Sequence, residues 1–197
     1  MARTQALAGT CEAIIRVLRS SFVPAQFSNA PLDFQVYAAD DFTHPMDEGI
    51  SLFLYGIYPN NTRRIPSGRL LPNGQRQRSK LPVDLHFLLT AWAKKASLQH
   101  EIAGWMVRVM EDNPLLPASL LNAYRPDVFS VNEQVQVSLT NLSVEEMFRV
   151  WEVIIRHVYQ LSVPYVATMV EIESDLTETL ALEVQERVAD LRQIEQP

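Results

Sequence analysis

Between Leu81 and Met110 the spacing of apolar residues changes from one period to another. Val83, Leu85, Phe87 and Leu89 alternate with Asp84, His86 and Thr90. That is the period of a β-strand with one face in a core. Beyond Lys94 and Lys95, Leu98, Ile102, Trp105, Met106 and Val109 recur at i, i+4, i+7, i+8 and i+11, one stripe of a helix. Ser97 is placed to cap this helix, and Glu101 to face the positive end of its dipole. A long apolar strand feeding a tryptophan-bearing helix predicts the nucleus of the fold, with Leu85, Trp105 and Trp151 in the core.

The same reading extends over the rest of the chain. Leu7, Cys11, Ile14, Ile15, Leu18 and Phe22 predict an opening helix of about four turns, ended by Pro24. Leu32, Phe34, Val36 and Ala38 alternate as a half-buried strand, and AADDFTHPMDEG (38–49) reads as a polar connection. Ile50–Tyr58 is apolar on both faces and predicts a central, fully buried strand. The Pro-broken stretch 111–127 predicts one short helical turn. Val135, Val137 and Leu139 alternate as an amphipathic strand. Ser143 and Glu146 form a capping box that opens a helix whose Met147, Val150, Trp151, Ile154 and Val158 face the core. Tyr165–Ile172 reads as a further strand with apolar residues on both faces. From Ser174 on, Leu180, Val184, Val188 and Leu191 recur at i, i+4, i+8 and i+11 amid acids, predicting a thin amphipathic helical arm.

Composition adds limits. The 197 residues, 47% of them hydrophobic, fit one domain with an appended arm. The uninterrupted apolar runs fall short of the roughly 20 residues that span a membrane, and the first 22 residues lack the apolar core of a secretory signal. A single cysteine, Cys11, excludes an internal disulfide framework and predicts synthesis in a reducing cytoplasm. It lies on the apolar stripe of the first helix, so it reads as a small buried side chain. The net charge of −6 is unevenly spread. Between Pro59 and Lys80 stand Arg63, Arg64, Arg69, Arg76, Arg78 and Lys80 and no acid, whereas the segment from Glu171 onward is strongly acidic. Prolines, glycines and Asn steps make 59–80 read as a mobile excursion between two core strands. It is either a solvated hairpin or a docking element.

Motifs for chemistry are lacking. His44, His86, His100 and His157 are scattered without metal-ligand spacing, and the six glycines form no phosphate-binding loop. Asp40, Asp41, Asp47 and Glu48 lie near His44 in sequence, but their Pro-containing loop reads as a turn. Asp84 and His86 share a strand face with no nucleophile in view and read as a polar face or subunit contact. The expectation is a protein that is not an enzyme and needs no cofactor or metal. A nucleic-acid-binding module built on the basic stretch is the competing class. The absence of interleaved aromatics and the acidic whole chain argue against it.

The order of several segments resembles the Pvc16-type (DUF4255) family found with phage-tail-like contractile injection systems. They are the N-terminal helix, ISLFLYGIYPNN (50–61), LPVDLHFLLTAWA (81–93), EIAGWMVRVM (101–110), QVSLTNLSVEEMFRVW (136–151) and LSVPYVATMVEIES (161–174). The resemblance spans roughly residues 10 to 174 and implies a phage tail-terminator-like α+β fold, a mixed β-sheet with flanking helices. It implies a structural cap, a homohexameric ring on the baseplate-distal end of tube and sheath. Another tail-completion or baseplate adaptor protein would share the fold and differ in position. Synthesis and assembly in a bacterial cytoplasm would follow, within a particle that can be released. The division expected is a domain over 1–174, including the basic stretch 59–80, and an acidic arm over 175–197. Arg63, Arg64, Arg69, Arg76, Arg78 and Lys80 are the candidates for partner docking. Leu180, Val184, Val188 and Leu191 are the candidates for an arm interface.

Overall fold

The computed structural model describes residues 4–62, 69–70, 75–154, 159–174 and 177–179; for 69–70, 76–77 and 177–179 only the backbone is described. The order is α1 (Ala6–Ser21), β1 (Asp33–Tyr37), β2 (Gly49–Pro59), β3 (Arg69–Leu70), β4 (Gln75–Gln77), β5 (Leu81–Trp92), α2 (Ala96–Asp112), β6 (Leu115–Pro117), α3 (Ala118–Leu121), β7 (Gln134–Leu139), α4 (Val144–Ile154), β8 (Ser162–Ile172) and β9 (Thr177–Thr179). Six strands make one mixed sheet in the order β1-β2-β5-β8-β7-β6, and β3-β4-β9 form a second, smaller one. Only the β1–β2 pairing in the large sheet is parallel. The expected α+β fold, a mixed sheet with flanking helices, is the one observed.

The centre of the large sheet is the expected one. On β5, Val83, Leu85, Phe87, Leu89 and Ala91 enter a core shared with Ile14, Ile15 and Leu18 of α1 and with Ile102, Met106 and Met110 of α2. Leu88 and Trp92 point the other way and pack with Tyr37, Phe42 and Trp151 in a second, aromatic cluster under α4. Strand alternation thus feeds both layers from one element. Two polar pairs lie within this centre, while the Tyr165 hydroxyl and Trp151 Nε1 are buried without a hydrogen-bond partner. Trp92 Nε1 donates to Ser51 Oγ at 2.8 Å, and the Thr90 and Ser162 hydroxyls share a hydrogen bond of 2.8 Å.

Local sequence explains the ends of elements. The capping box at α4 is present: the Glu146 backbone N–H donates to Ser143 Oγ at 3.2 Å, and the Ser143 N–H donates to Glu146 Oε2 at 2.9 Å. Gly49 opens β2 at φ 149°, where an added Cβ would lie 2.1 Å from the Asp33 carbonyl oxygen. Only glycine lets β1 approach there. On β8, Thr168 and Met169 lie across from Asp84 alone, and Met169 adopts φ 68°. This is a β-bulge in β8.

Several expectations need correction. Ser97 is not the cap of α2: the helix starts at Ala96 after Lys95, without a side-chain cap, and Glu101 lies beyond its first turn. The helix start is tied instead by Gln99 Nε2, which donates to the Ala91 carbonyl at 3.0 Å. β2 is buried from Gly49 to Leu52 and then runs outward, with Tyr58 52% exposed. Trp105 is half-buried in an aromatic corner with Phe22, Phe27 and Phe34, at centroid distances of 5.5–6.3 Å. Residues 39–43 form a 3-10 turn whose Phe42 enters the aromatic cluster, not a turn of polar residues alone. Leu85 and Trp151 are buried as expected. Val158 lies outside the described residues.

Candidate assembly interface

The large sheet ends, at the far end of β2 and the start of β5, in the smaller sheet. Its strands come from the two oppositely charged stretches of the sequence. β4 pairs with β3 on one side, Arg69 opposite Gln77 and Leu70 opposite Arg76. On its other side it pairs with β9, Gln75 opposite Thr179, Arg76 opposite Glu178 and Gln77 opposite Thr177. Two corrections follow. At 69–70 and 75–77 the basic stretch is regular sheet and not an excursion without structure. At 177–179 the acidic arm is strand and not helix. Arg63 and Arg64, and Leu180, Val184, Val188 and Leu191, lie outside the described residues. The backbone places Arg69 and Arg76 in the ladder, and Arg78 is exposed in the connection to β5.

Lys80 is engaged within its own chain. Its Nζ lies 2.8 Å from Glu171 Oε2, 3.0 Å from Glu173 Oε1 and 3.1 Å from Glu133 Oε1. An ammonium has three donors, and each meets one carboxylate. Partial burial works against the charge, but hydrogen bonds to Glu171, Glu173 and Glu133 outweigh it and hold the Lys80 pKa above its ordinary range. The Glu173 side chain is only 10% exposed, and its Oε2 is buried without a hydrogen-bond partner. The exit of β2 is fixed beside this cluster. Asn60 Nδ2 donates to both Asp84 oxygens, at 3.1 and 3.2 Å, and the Thr62 N–H donates to Asn60 Oδ1. Asp84 is therefore a turn anchor, and the His86 ring rests against Tyr58 at 4.8 Å.

The remaining chemical candidates have ordinary structural partners. Cys11 is buried in α1, and burial followed by the charge of Glu12 pushes its thiol up to about 12, away from reactivity. Asp47 pairs with Lys94 at 3.0 Å, and His44 Nδ1 shares a hydrogen bond with Thr43. Asp47 and Lys94 border a shallow cleft of about 350 Å³ lined also by Pro31, Asp33 and Glu48. Among the described residues no group of three or more His, Cys, Asp or Glu is placed to hold a metal ion, and no helix is long and apolar enough to cross a membrane. Apolar surface remains beside α4, where Phe148 and Tyr159 are exposed with ring centroids 5.4 Å apart. Sequence reasoning found Lys80 but missed Glu133, Glu171 and Glu173 as its partners. The charge signal was present, but nothing local pairs residues 53 and more positions apart.

The fold is thus a curled sheet covered on both faces that ends in a small accessory sheet. The chain belongs to the Pvc16 N-terminal domain family, whose family model matches residues 9–186. Its fold is similar to the PVC sheath/tube terminator of an extracellular contractile injection system in the extended state. The TM-score is 0.59 and the identity 16%, over 100% of this chain and 67% of that one. It is similar also to the tube-terminating cap of the anti-feeding prophage, with a TM-score of 0.58 and 15% identity over 90% of this chain and 58% of that one. This chain thus spans about two thirds or less of either structure's chain. No curated protein matches the sequence.

Proposed function

We propose that this protein is a structural cap, a tail terminator that closes the baseplate-distal end of the tube and sheath of a contractile injection system. The observation that carries this reading is the family match over residues 9–186, and the fold shared with two terminators supports it. Its partners are further copies of itself in a homohexameric ring and the tube and sheath subunits beneath. A cap must close on itself, because an open head-to-tail contact would continue into a filament. The role is one of assembly and requires no catalysis, cofactor or nucleic acid. Synthesis takes place in the bacterial cytoplasm, and the protein leaves only as part of a released particle.

Within this reading, residues 1–174 form the ring-building domain and 175–197 the acidic arm. The stripe of Leu180, Val184, Val188 and Leu191 packs on a neighbouring subunit. The basic stretch emerges at one end of the sheet, where it projects along the particle axis and meets an acidic surface on tube or sheath. Charge complementarity there steers encounter and fixes orientation. The test is to add purified, tagged protein to particles assembled without it and to locate the tag by electron microscopy. Tags at the single end opposite the baseplate are expected. Tags along the sheath, at the baseplate, or nowhere would overturn the proposal.

A further inference from the structure

We propose that the Lys80 ammonium is an ionic clasp that holds the accessory sheet to the body, giving that sheet a closed and an open state. The sheet joins the body through three connections: after β2, between β4 and β5, and after β8. Two of them carry the clasp. Lys80 sits between β4 and β5, and Glu173 sits between β8 and β9. Glu133, just before β7, and Glu171, within β8, anchor the same nitrogen to the body.

The cluster is poised because its charges do not balance. Three carboxylates converge on one cation at 2.8–3.1 Å, so each stands beside two like charges. The ammonium is what makes this arrangement favourable, and without it the carboxylates repel one another. Glu173 depends on it most. Its side chain is nine-tenths buried and its second oxygen has no partner, so losing Lys80 leaves a buried, uncompensated charge. The simplest relief is for the connection after β8 to move outward, carrying β9 away from β4. Lys80 itself is 41% exposed, so salt reaches the cluster and weakens it. The body has no such dependence, since its strands are held by apolar burial on both faces.

Amide hydrogen exchange on the free, full-length protein tests this independently of where the protein sits in a particle. In Lys80→Met, the amides of Gln75–Gln77 and Thr177–Thr179 should exchange about tenfold faster, while those of Ile50–Leu52 and Leu85–Leu89 change less than about twofold. Adding Glu133→Gln, Glu171→Gln and Glu173→Gln to Lys80→Met removes the repulsion and should slow the accessory amides again. Should Lys80→Met not fold, the native protein in raised salt supplies the same comparison. Unchanged exchange at 75–77 and 177–179 would overturn the clasp. Uniform acceleration across the body would also overturn it, by making Lys80 a general stability element. Failure of the neutral combination to recover would show that the aliphatic stem matters and not the charge.

Discussion

The large sheet and the accessory sheet are built on opposite physical principles. In the large sheet, β5 is twelve residues long and buries side chains into one core above and another below. Its buried polar side chains are few, and the buried Tyr55 and Tyr165 hydroxyls have no hydrogen-bond partner. The accessory sheet has strands of two and three residues, too short to bury a core of their own. Beside it the fixed points are polar: the ion pairs of Lys80 with three glutamates, and the hydrogen bonds of Asn60 to Asp84. One region gains stability from area removed from water, which salt hardly touches. The other depends on charges that salt screens and that a partner can compete for.

The largest effect is expected in the body. Trp151 is 3% exposed and meets Phe42, Trp92 and Tyr159 at ring-centroid distances of 5.8–6.3 Å. Trp151→Ala should cost about 3–5 kcal/mol in denaturant unfolding, as a large-to-small core change. A loss below about 1 kcal/mol would mean that α4 is not an integral cover of the sheet.

Smaller is the contribution of the α4 cap. Ser143→Ala removes the acceptor for the Glu146 backbone N–H and should cost about 1 kcal/mol by the same measurement. A neutral result would show the helix to be held by packing alone.

Changing Arg63, Arg64, Arg76 and Arg78 together to Ser separates the two regions more sharply. Charged side chains of this kind rarely enter an apolar core, so unfolding of the body should shift by no more than about 0.5 kcal/mol. Attachment to particles at low salt should weaken clearly, and native attachment should itself fade as salt rises. A variant that attaches like the native protein would assign docking to some other surface.

The smallest effect is one of pH. Hydrogen bonds from the Ser143 backbone and hydroxyl hold the Glu146 carboxyl below its usual range in the folded protein. A depressed folded-state value adds stability above the ordinary carboxylate pKa, and that stability is lost as pH falls through the depressed one. Glu146→Gln should therefore make the acid limb of the stability profile slightly shallower while leaving the neutral-to-basic limb unchanged. An identical acid limb would remove Glu146 from the account.

The same contrast explains what was legible in the sequence. Strand and helix periods in the body are local, and α1, β1, β5, β7, the capping box of α4 and the burial of Leu85 and Cys11 were all readable from them. Ser97 misled because Ser is a favoured cap, while the helix, tied by Gln99 to Ala91, starts two residues earlier, after Lys95. Short elements escaped for a different reason. Thr177–Thr179 lies in an acid-rich stretch with a helical period, and its strand state depends on β4, about one hundred positions earlier. The partners of Lys80 are likewise distant in the chain. Charge composition revealed a basic stretch and an acidic one but not that they meet in one molecule.

The central claim, that this fold closes the end of a contractile tail, is tested most directly by electron cryo-microscopy of particles carrying the protein. The account predicts density for a ring of six copies at the end opposite the baseplate, with the accessory sheet directed at the tube and sheath. Density at the baseplate, a ring of another symmetry, or an accessory sheet turned away from the tube and sheath would contradict it.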